Sequence, residues 1–241
     1  MRIDKFLSEC GVCSRKEAGL LAKRGAILVD GITVKDVSLH IDPEKQTLIF
    51  EGREISYKKY TYFMLNKPEG YVSATEDSKL PVVTELLPRE CSHLEMFPVG
   101  RLDKDTVGLM ILTNNGVLAH ALLSPRRHVS KVYRFKSAEP LVLGIEEKFK
   151  DGITLADGYE CKSAEIVPDK DRMGGTITLT EGKYHQIKRM IASTGNKVVF
   201  LERIKFGPIS LDTSLERGKC RPLTSDEEKA LLNSAPESLR G

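Results

Sequence analysis

The sequence predicts an α+β fold in which a small N-terminal unit is joined to a larger one, a mixed, mostly antiparallel sheet with flanking helices. Three observations predict it. Ile3, Phe6, Leu7 and Cys10 recur at helical spacing, and Ser14 with Glu17 then forms a capping box that opens a second helix. Further on, apolar runs such as Tyr62 to Leu65 and Leu109 to Leu112 mix with short helical patterns without regular βαβ alternation. No dinucleotide-binding glycine fingerprint and no P-loop occurs, which favours an antiparallel α+β domain over a doubly wound one.

Taken in order, the first helix stops at Gly11, and the second carries Ala18, Leu21 and Ala22 inside and closes at Gly25. Ile27-Leu28-Val29 and Ile32-Thr33-Val34 read as strands around a tight Asp30-Gly31 turn. Residues 51–60 are polar and read as a connection. Tyr62 to Leu65 is a strand ending in the turn Asn66-Lys67-Pro68-Glu69-Gly70, and Leu109 to Thr113 is another. Gly116 to Leu123 reads as a short helix stopped at Ser124-Pro125, followed by a strand over Val132 to Phe135. Ile177-Thr178-Leu179 leads to a helix with Ile187, Met190 and Ile191 inside, ended by Gly195. Val198 to Phe206 is a longer strand ended by Gly207-Pro208.

The 241 residues, 40% hydrophobic and 29% charged, suffice for a real core. No apolar stretch approaches the ~20 residues of a membrane helix, and the opening Met1-Arg2-Ile3-Asp4-Lys5 lacks a signal-peptide core, so a cytoplasmic protein without membrane association is expected. Cysteines 10, 13, 91, 161 and 220 are expected as free thiols. Cys10 and Cys13 lack the second pair or the histidines that a zinc site needs, so they read as small residues around a helix end and no metal is expected.

The net charge of +3 is small but unevenly spread. Arg126, Arg127, Lys131, Arg134 and Lys136 occur over 126–136 with no acid. Lys183, Lys188, Arg189, Lys197, Arg203 and Lys205 occur over 183–205 against Glu202 alone. Such clusters suit a polyanion, because each phosphate neutralised releases counterions. The first two helices are basic as well, with Arg2 and Lys5 on one and Arg15, Lys16, Lys23 and Arg24 on the other.

The stretch Met-Arg-Ile-Asp-Lys-Phe-Leu, with Gly11-x-x-Ser14-Arg15-x-Glu17-Ala18, resembles the αL-motif RNA-binding domain named after a small-subunit ribosomal protein. The resemblance implies a binding module carrying no chemistry. Its expected contacts are Arg2, Lys5, Ser14, Arg15, Lys16, Lys23 and Arg24.

Gly100-Arg101-Leu102-Asp103 precedes the apolar run Leu109 to Leu112 and sets a carboxylate where a loop meets a buried strand. A carboxylate held ionised there by a cation, with Arg101 nearby, is a nucleophile or general base in waiting; the alternative is a turn-capping aspartate or a pair with Lys104. The wider pattern carries a resemblance that bears on this choice. Asn66-Lys67-Pro68-x-Gly70, Gly100-Arg101-Leu102-Asp103-x-x-Thr106-x-Gly108-Leu109, Lys131-x-Tyr133 and Glu181-Gly182-Lys183-Tyr184-His185-Gln186-Ile187-Lys188-Arg189-Met190 resemble, in order and spacing, the RsuA family of RNA pseudouridine synthases. The likeness runs from Met1 to about Pro222.

That resemblance implies an RNA-binding domain over 1–55, a linker over 56–61, a catalytic pseudouridine synthase domain over 62–232 and a polar tail over 233–241. It implies isomerisation of a uridine in ribosomal RNA or a pre-ribosomal particle with no cofactor, nucleotide or metal; nothing in the sequence requires more than a monomer. Asp103 falls on the family's required aspartate, Tyr133 on the tyrosine expected to stack on the base, and Lys188 on the cation that pairs with the aspartate. Aromatic stacking offsets what an extruded base loses, ~1–3 kcal/mol. Substrate contacts are expected from Arg101, Leu102, Lys131, Arg126, Arg127, His185, Gln186, Arg189 and Leu211, with Ile209 beside Leu211 as an apolar wall.

One departure is Val107, where the family often has glutamate. Ser124-Pro125-Arg126-Arg127-His128 resembles the branch acting on small-subunit ribosomal RNA. The alternatives are the same reaction on large-subunit RNA, a non-catalytic RNA-binding assembly factor, and an RNA N-glycosylase, against which the absence of a second obvious acid to activate water counts.

Overall fold

The computed structural model describes residues 1–91, 93–124 and 129–235 and divides into two compact units. The first comprises Met1–Thr61 with Pro88–Glu95. Its helices are α1 (Ile3–Glu9) and α2 (Arg15–Lys23), followed by β1 (Ile27–Val29), β2 (Ile32–Thr33), β3 (Leu48–Phe50) and β4 (Arg53–Ile55). The expected capping box is present. Ser14 Oγ accepts from the Glu17 amide, and Glu17 Oε2 accepts from the Ser14 amide at 2.9 Å. Ile3, Phe6, Leu7, Ala18, Ala22, Ile27 and Leu48 make the core, all essentially buried.

The four strands form an antiparallel sheet in the order β2-β1-β3-β4. Both outer hairpins turn through two consecutive left-handed residues, Asp30-Gly31 (φ 49° and 79°) and Glu51-Gly52 (φ 47° and 79°). That is the type I′ geometry that matches strand twist. The expectation that 51–60 is only a connection is thereby corrected, since 51–55 complete a hairpin. Residues 88–95, expected within the larger part, cluster with this unit. The His93 ring fills the space a side chain at Gly11 would need, and Gly11 sits at φ +68°, so that position suits glycine alone.

The second unit comprises Tyr62–Leu87 and Met96–Gly241. Its strands are β5 (Tyr62–Lys67), β6 (Phe97–Pro98), β7 (Val107–Thr113), β8 (Lys131–Ser137), β9 (Glu165–Pro168), β10 (Gly174–Leu179), β11 (Val198–Phe206), β12 (Ile209–Ser210) and β13 (Cys220–Pro222). Its helices are α3 (Gly116–Leu123), α4 (Ile145–Asp151), α5 (Gln186–Ala192) and α6 (Ser225–Asn233). The main sheet runs β13-β5-β7-β11-β8-β10-β9, with β6 on β7 and β12 on β11. Every pairing is antiparallel except β7 with β11.

All seven residues of β7 are buried, as a central strand covered on both faces requires. Phe135, Ile145, Phe149, Ile177, Met190 and Ile191 pack as one core cluster, joining α4 and α5 to the sheet. Gly108 permits the parallel β7–β11 contact. Its φ is +96°, and a Cβ there would come within 2.9 Å of Glu202 Cγ and 3.0 Å of the Arg203 amide nitrogen. Among the described residues, no helix is long and apolar enough to cross a membrane, and no disulfide joins any of the five cysteines.

Candidate active site

The loop between β6 and β7 carries Asp103, and three local devices fix it. Gly100 turns at φ +83°. The Ser73 hydroxyl donates to the Leu102 carbonyl at 2.7 Å and accepts from the Leu102 amide at 2.9 Å. Lys67, fully buried at the end of β5, aims its ammonium at the carbonyl oxygens of Pro68, Asp103, Lys104 and Thr106, between 2.8 and 3.3 Å away. An ammonium has three protons, so four acceptors saturate it. Burial pushes the Lys67 pKa down to about 8, against the attraction of Asp105, Asp103 and Glu69.

The Asp103 side chain, 28% exposed, faces two nitrogen-bearing side chains, His185 at the start of α5 and Lys188 within it. Lys188 Nζ lies 3.4 Å from Oδ2, and His185 Nε2 lies 3.6 Å from Oδ1. Lys188 also bonds Asp105 Oδ1 at 2.5 Å. Burial raises the Asp105 pKa, but the hydrogen bond and charge of Lys188 outweigh it and leave the carboxyl below its ordinary value. His185 adopts a left-handed conformation, φ 49°, and its ring stacks on Tyr184 at 3.8 Å. Arg101, expected from sequence to be the charge partner, is exposed and forms no ion pair with Asp103 among the described residues.

Asp103, Tyr133, Lys131, Arg203, His185 and Leu102 line one cavity of about 460 Å³, large enough for a nucleoside. Arg101 and Gln186 line it as well. Tyr133 projects from β8, half-buried against the core cluster, and Lys131 lies two residues earlier on the same strand face. Gln186 is committed to bracing the connection: its Oε1 accepts from the Lys183 amide at 2.9 Å and its Nε2 donates to Glu181 Oε1 at 2.6 Å. Glu181 also accepts from the Tyr159 hydroxyl and the Lys162 amide.

Not every expected contact is in the cavity wall. Arg189 pairs with Asp157 at 2.5 Å, and the cavity lining includes neither Arg189 nor Leu211. Ile209 is buried in β12. Arg126, Arg127 and His128 lie outside the described residues. Val107, the departure from the family pattern, is buried as the first residue of β7. Sequence patterns assign no role to Lys67, Ser73 or Asp105, and place Arg203 only in a basic cluster suited to a polyanion. Lys67 stands inside a motif already singled out, and Asp105 lies two residues from Asp103, so motif membership and spacing were available signals for both.

On the first unit, Arg15, Lys16, Lys23 and Arg24 are exposed, and none forms an ion pair among the described residues. Arg2 pairs with Asp4 at 2.8 Å and Lys5 with Glu9 at 3.5 Å. Ser14 serves as the helix cap.

A family model described as RNA pseudouridylate synthase matches residues 61–193, and one described as S4 domain matches residues 1–46. The chain belongs to the RNA pseudouridylate synthase family. This synthase is 44% identical over 236 residues to a Bacillus subtilis protein named as an uncharacterised RNA pseudouridine synthase, YtzG, covering 97% of this chain and 98% of that protein. It is 36% identical over 233 residues to the ribosomal small subunit pseudouridine synthase A of Haemophilus influenzae, covering 96% of this chain and 100% of the relative. A crystal structure of a pseudouridylate synthase superimposes with a TM-score of 0.67 at 35% identity, over 96% of this chain and 99% of that one. The synthase is thus an enzyme acting on RNA, with an S4 domain ahead of a mixed α+β catalytic fold.

Proposed function

We propose that this synthase isomerises a uridine of small-subunit ribosomal RNA to pseudouridine, with Asp103 as the essential carboxylate. The observation that carries the reading is the Asp103 carboxylate beside Lys188, 3.4 Å away, at the wall of a cavity also lined by Tyr133. The choice of RNA is supported by relatives from Haemophilus influenzae, Yersinia pestis and Escherichia coli, 35–38% identical over 94–96% of this chain, each named a ribosomal small subunit pseudouridine synthase. Ribosomal RNA as substrate implies action in the cytoplasm.

In this mechanism the target uridine leaves its stack and enters the cavity, with the base on the Tyr133 ring. The N1–C1′ bond breaks, the uracil turns within the cavity, and C5 bonds to C1′. N1 regains a proton and C5 loses one, so the atoms balance with no cofactor. Asp103 meets the positive character that develops at C1′ as the glycosidic bond weakens, a need that glycosidases also meet with carboxylates. Lys188 holds that carboxylate in place. The Lys67 and Ser73 hydrogen bonds fix the loop backbone, so Asp103 is positioned before substrate arrives. Arg15, Lys16, Lys23 and Arg24 supply a basic face for RNA phosphates.

The test is to incubate the protein with unmodified small-subunit and large-subunit ribosomal RNA and map pseudouridine by carbodiimide-adduct primer stops. One new stop in the small-subunit RNA is expected. A stop confined to large-subunit RNA overturns the substrate assignment.

A further inference from the structure

Two cations in the cavity wall have no place in the chemistry above. Arg203, on β11, is 2% exposed. Its Nε donates to the Leu109 carbonyl at 2.7 Å, but its Nη2, also buried, meets no acceptor among the described residues. Lys131, on the neighbouring β8, donates to the Val129 carbonyl at 2.8 Å. That uses one of its three protons. Both head groups stand near the ring of Phe206, Lys131 Nζ at 5.6 Å and the Arg203 guanidinium carbon at 5.4 Å from its centroid. Neither is paired with a carboxylate among the described residues.

Holding a fully buried guanidinium beside a half-buried ammonium, both with unspent donors, is costly unless an anion completes them. Strand bracing accounts for Arg203 Nε, but it accounts for neither Nη2 nor the free protons of Lys131. Lys67 differs, because its protons are fully used by the loop carbonyls. The fold therefore holds a positive pair in the lining of the same cavity as Asp103. We propose that Lys131 and Arg203 form a phosphate-binding site, which receives a phosphodiester of the nucleotide extruded into the cavity.

The proposal rests on the reading of the cavity as the place where a nucleotide enters. A phosphodiester suits the pair better than the base does. It carries a full negative charge in the ground state, whereas uracil is neutral until its bond to the sugar breaks. A guanidinium fork beside a point-like ammonium also matches the several oxygens of a phosphate. Burial and the neighbouring Arg203 charge push the Lys131 pKa down to about 8.

The test follows Lys131 itself, in the full-length protein carrying lysine labelled with carbon-13 at the ε position. The Lys131 signal is the one absent from Lys131→Met. Inorganic phosphate, uridine and uridine 5′-monophosphate are titrated in turn. Phosphate and the monophosphate are expected to shift the signal and raise its titration midpoint by about one pH unit, as a nearby opposite charge does. Uridine is expected to do neither, and Lys131→Met to bind the monophosphate about tenfold more weakly. No response to phosphate or monophosphate overturns the site. A response to uridine equal to that to the monophosphate puts the base there and overturns the phosphate assignment. The readout needs no turnover, so a protein inactive on ribosomal RNA still reports on this site. An active one with an unresponsive Lys131 refutes only the site.

Discussion

The Lys188 ammonium stands 3.4 Å from the Asp103 carboxylate and only 2.5 Å from that of Asp105. One cation thus serves two carboxylates on the same short loop, and the closer is not the one assigned to the chemistry. Asp105 anchors Lys188 where it can also face Asp103. Lys188→Met removes the ammonium from both carboxylates and is expected to lower kcat by about tenfold or more, with RNA affinity within about twofold. Lys188→Arg should retain most of the rate. Single-turnover kinetics beside direct RNA binding check this, and an equal loss in both quantities would point to a structural role instead.

Lys67 predicts a different phenotype. Replacing it by Met strips the donor from carbonyl groups of Pro68, Asp103, Lys104 and Thr106 at a fully buried position. Leaving buried carbonyl groups without their donor costs about 1–3 kcal/mol. Denaturant unfolding should show that loss, and activity should fall with it. A variant of unchanged stability would show that the loop is held by other means.

Gly108→Ala tests how β7 and β11 are held together. A methyl group there meets the Arg203 backbone and Glu202 Cγ at a φ of +96°. The expected cost is about 2–4 kcal/mol, since strain and overpacking add. Thermal unfolding measures it, and a neutral substitution would contradict the close approach.

Much of this architecture is legible along the chain. Gly116–Leu123 and Val198–Phe206 form the expected elements because each is bounded by its own stop signal, Ser124-Pro125 and Gly207-Pro208. Asn66 and Lys67, expected in a turn, instead extend β5 through pairing with Leu109 and Gly108. The hairpin of β3 and β4 is not legible because its turn, Glu51-Gly52, lacks the Asp-Gly signal that marks the equally short β1 and β2. The role of Arg203 escaped for another reason. Its hydrogen bond to Leu109 spans 94 positions, and no local pattern reports a contact of that range. Arg189 looked like an RNA contact because its partner, Asp157, lies in a distant loop.

The pH dependence follows from Lys131. Its pKa is lowered to about 8 by burial and the neighbouring Arg203, so the side chain is charged below that value and neutral above it. RNA affinity is expected to weaken as pH rises through about 8, and Lys131→Arg, which stays charged, should flatten that limb. Binding measured across the range decides. A limb that persists in Lys131→Arg would contradict the assignment to Lys131.

On the first unit, Arg15, Lys16, Lys23 and Arg24 are exposed without ion-pair partners among the described residues. Replacing Arg15 and Lys16 with Ala should weaken RNA binding and reduce the slope of log K against log salt by about 0.7–0.9 for each phosphate no longer neutralised. Chemistry on bound RNA should hardly change. An unaltered slope would remove this face from the RNA interface.

The central claim is that Asp103 performs the chemistry, and Asp103→Asn tests it most directly. The variant keeps the shape of the side chain while removing its charge beside Lys188. Incubated with unmodified small-subunit ribosomal RNA next to the parent protein, it should leave no carbodiimide-adduct stop at the position the parent modifies, while binding the RNA within about twofold of the parent. A stop appearing at the parental rate would contradict the assignment.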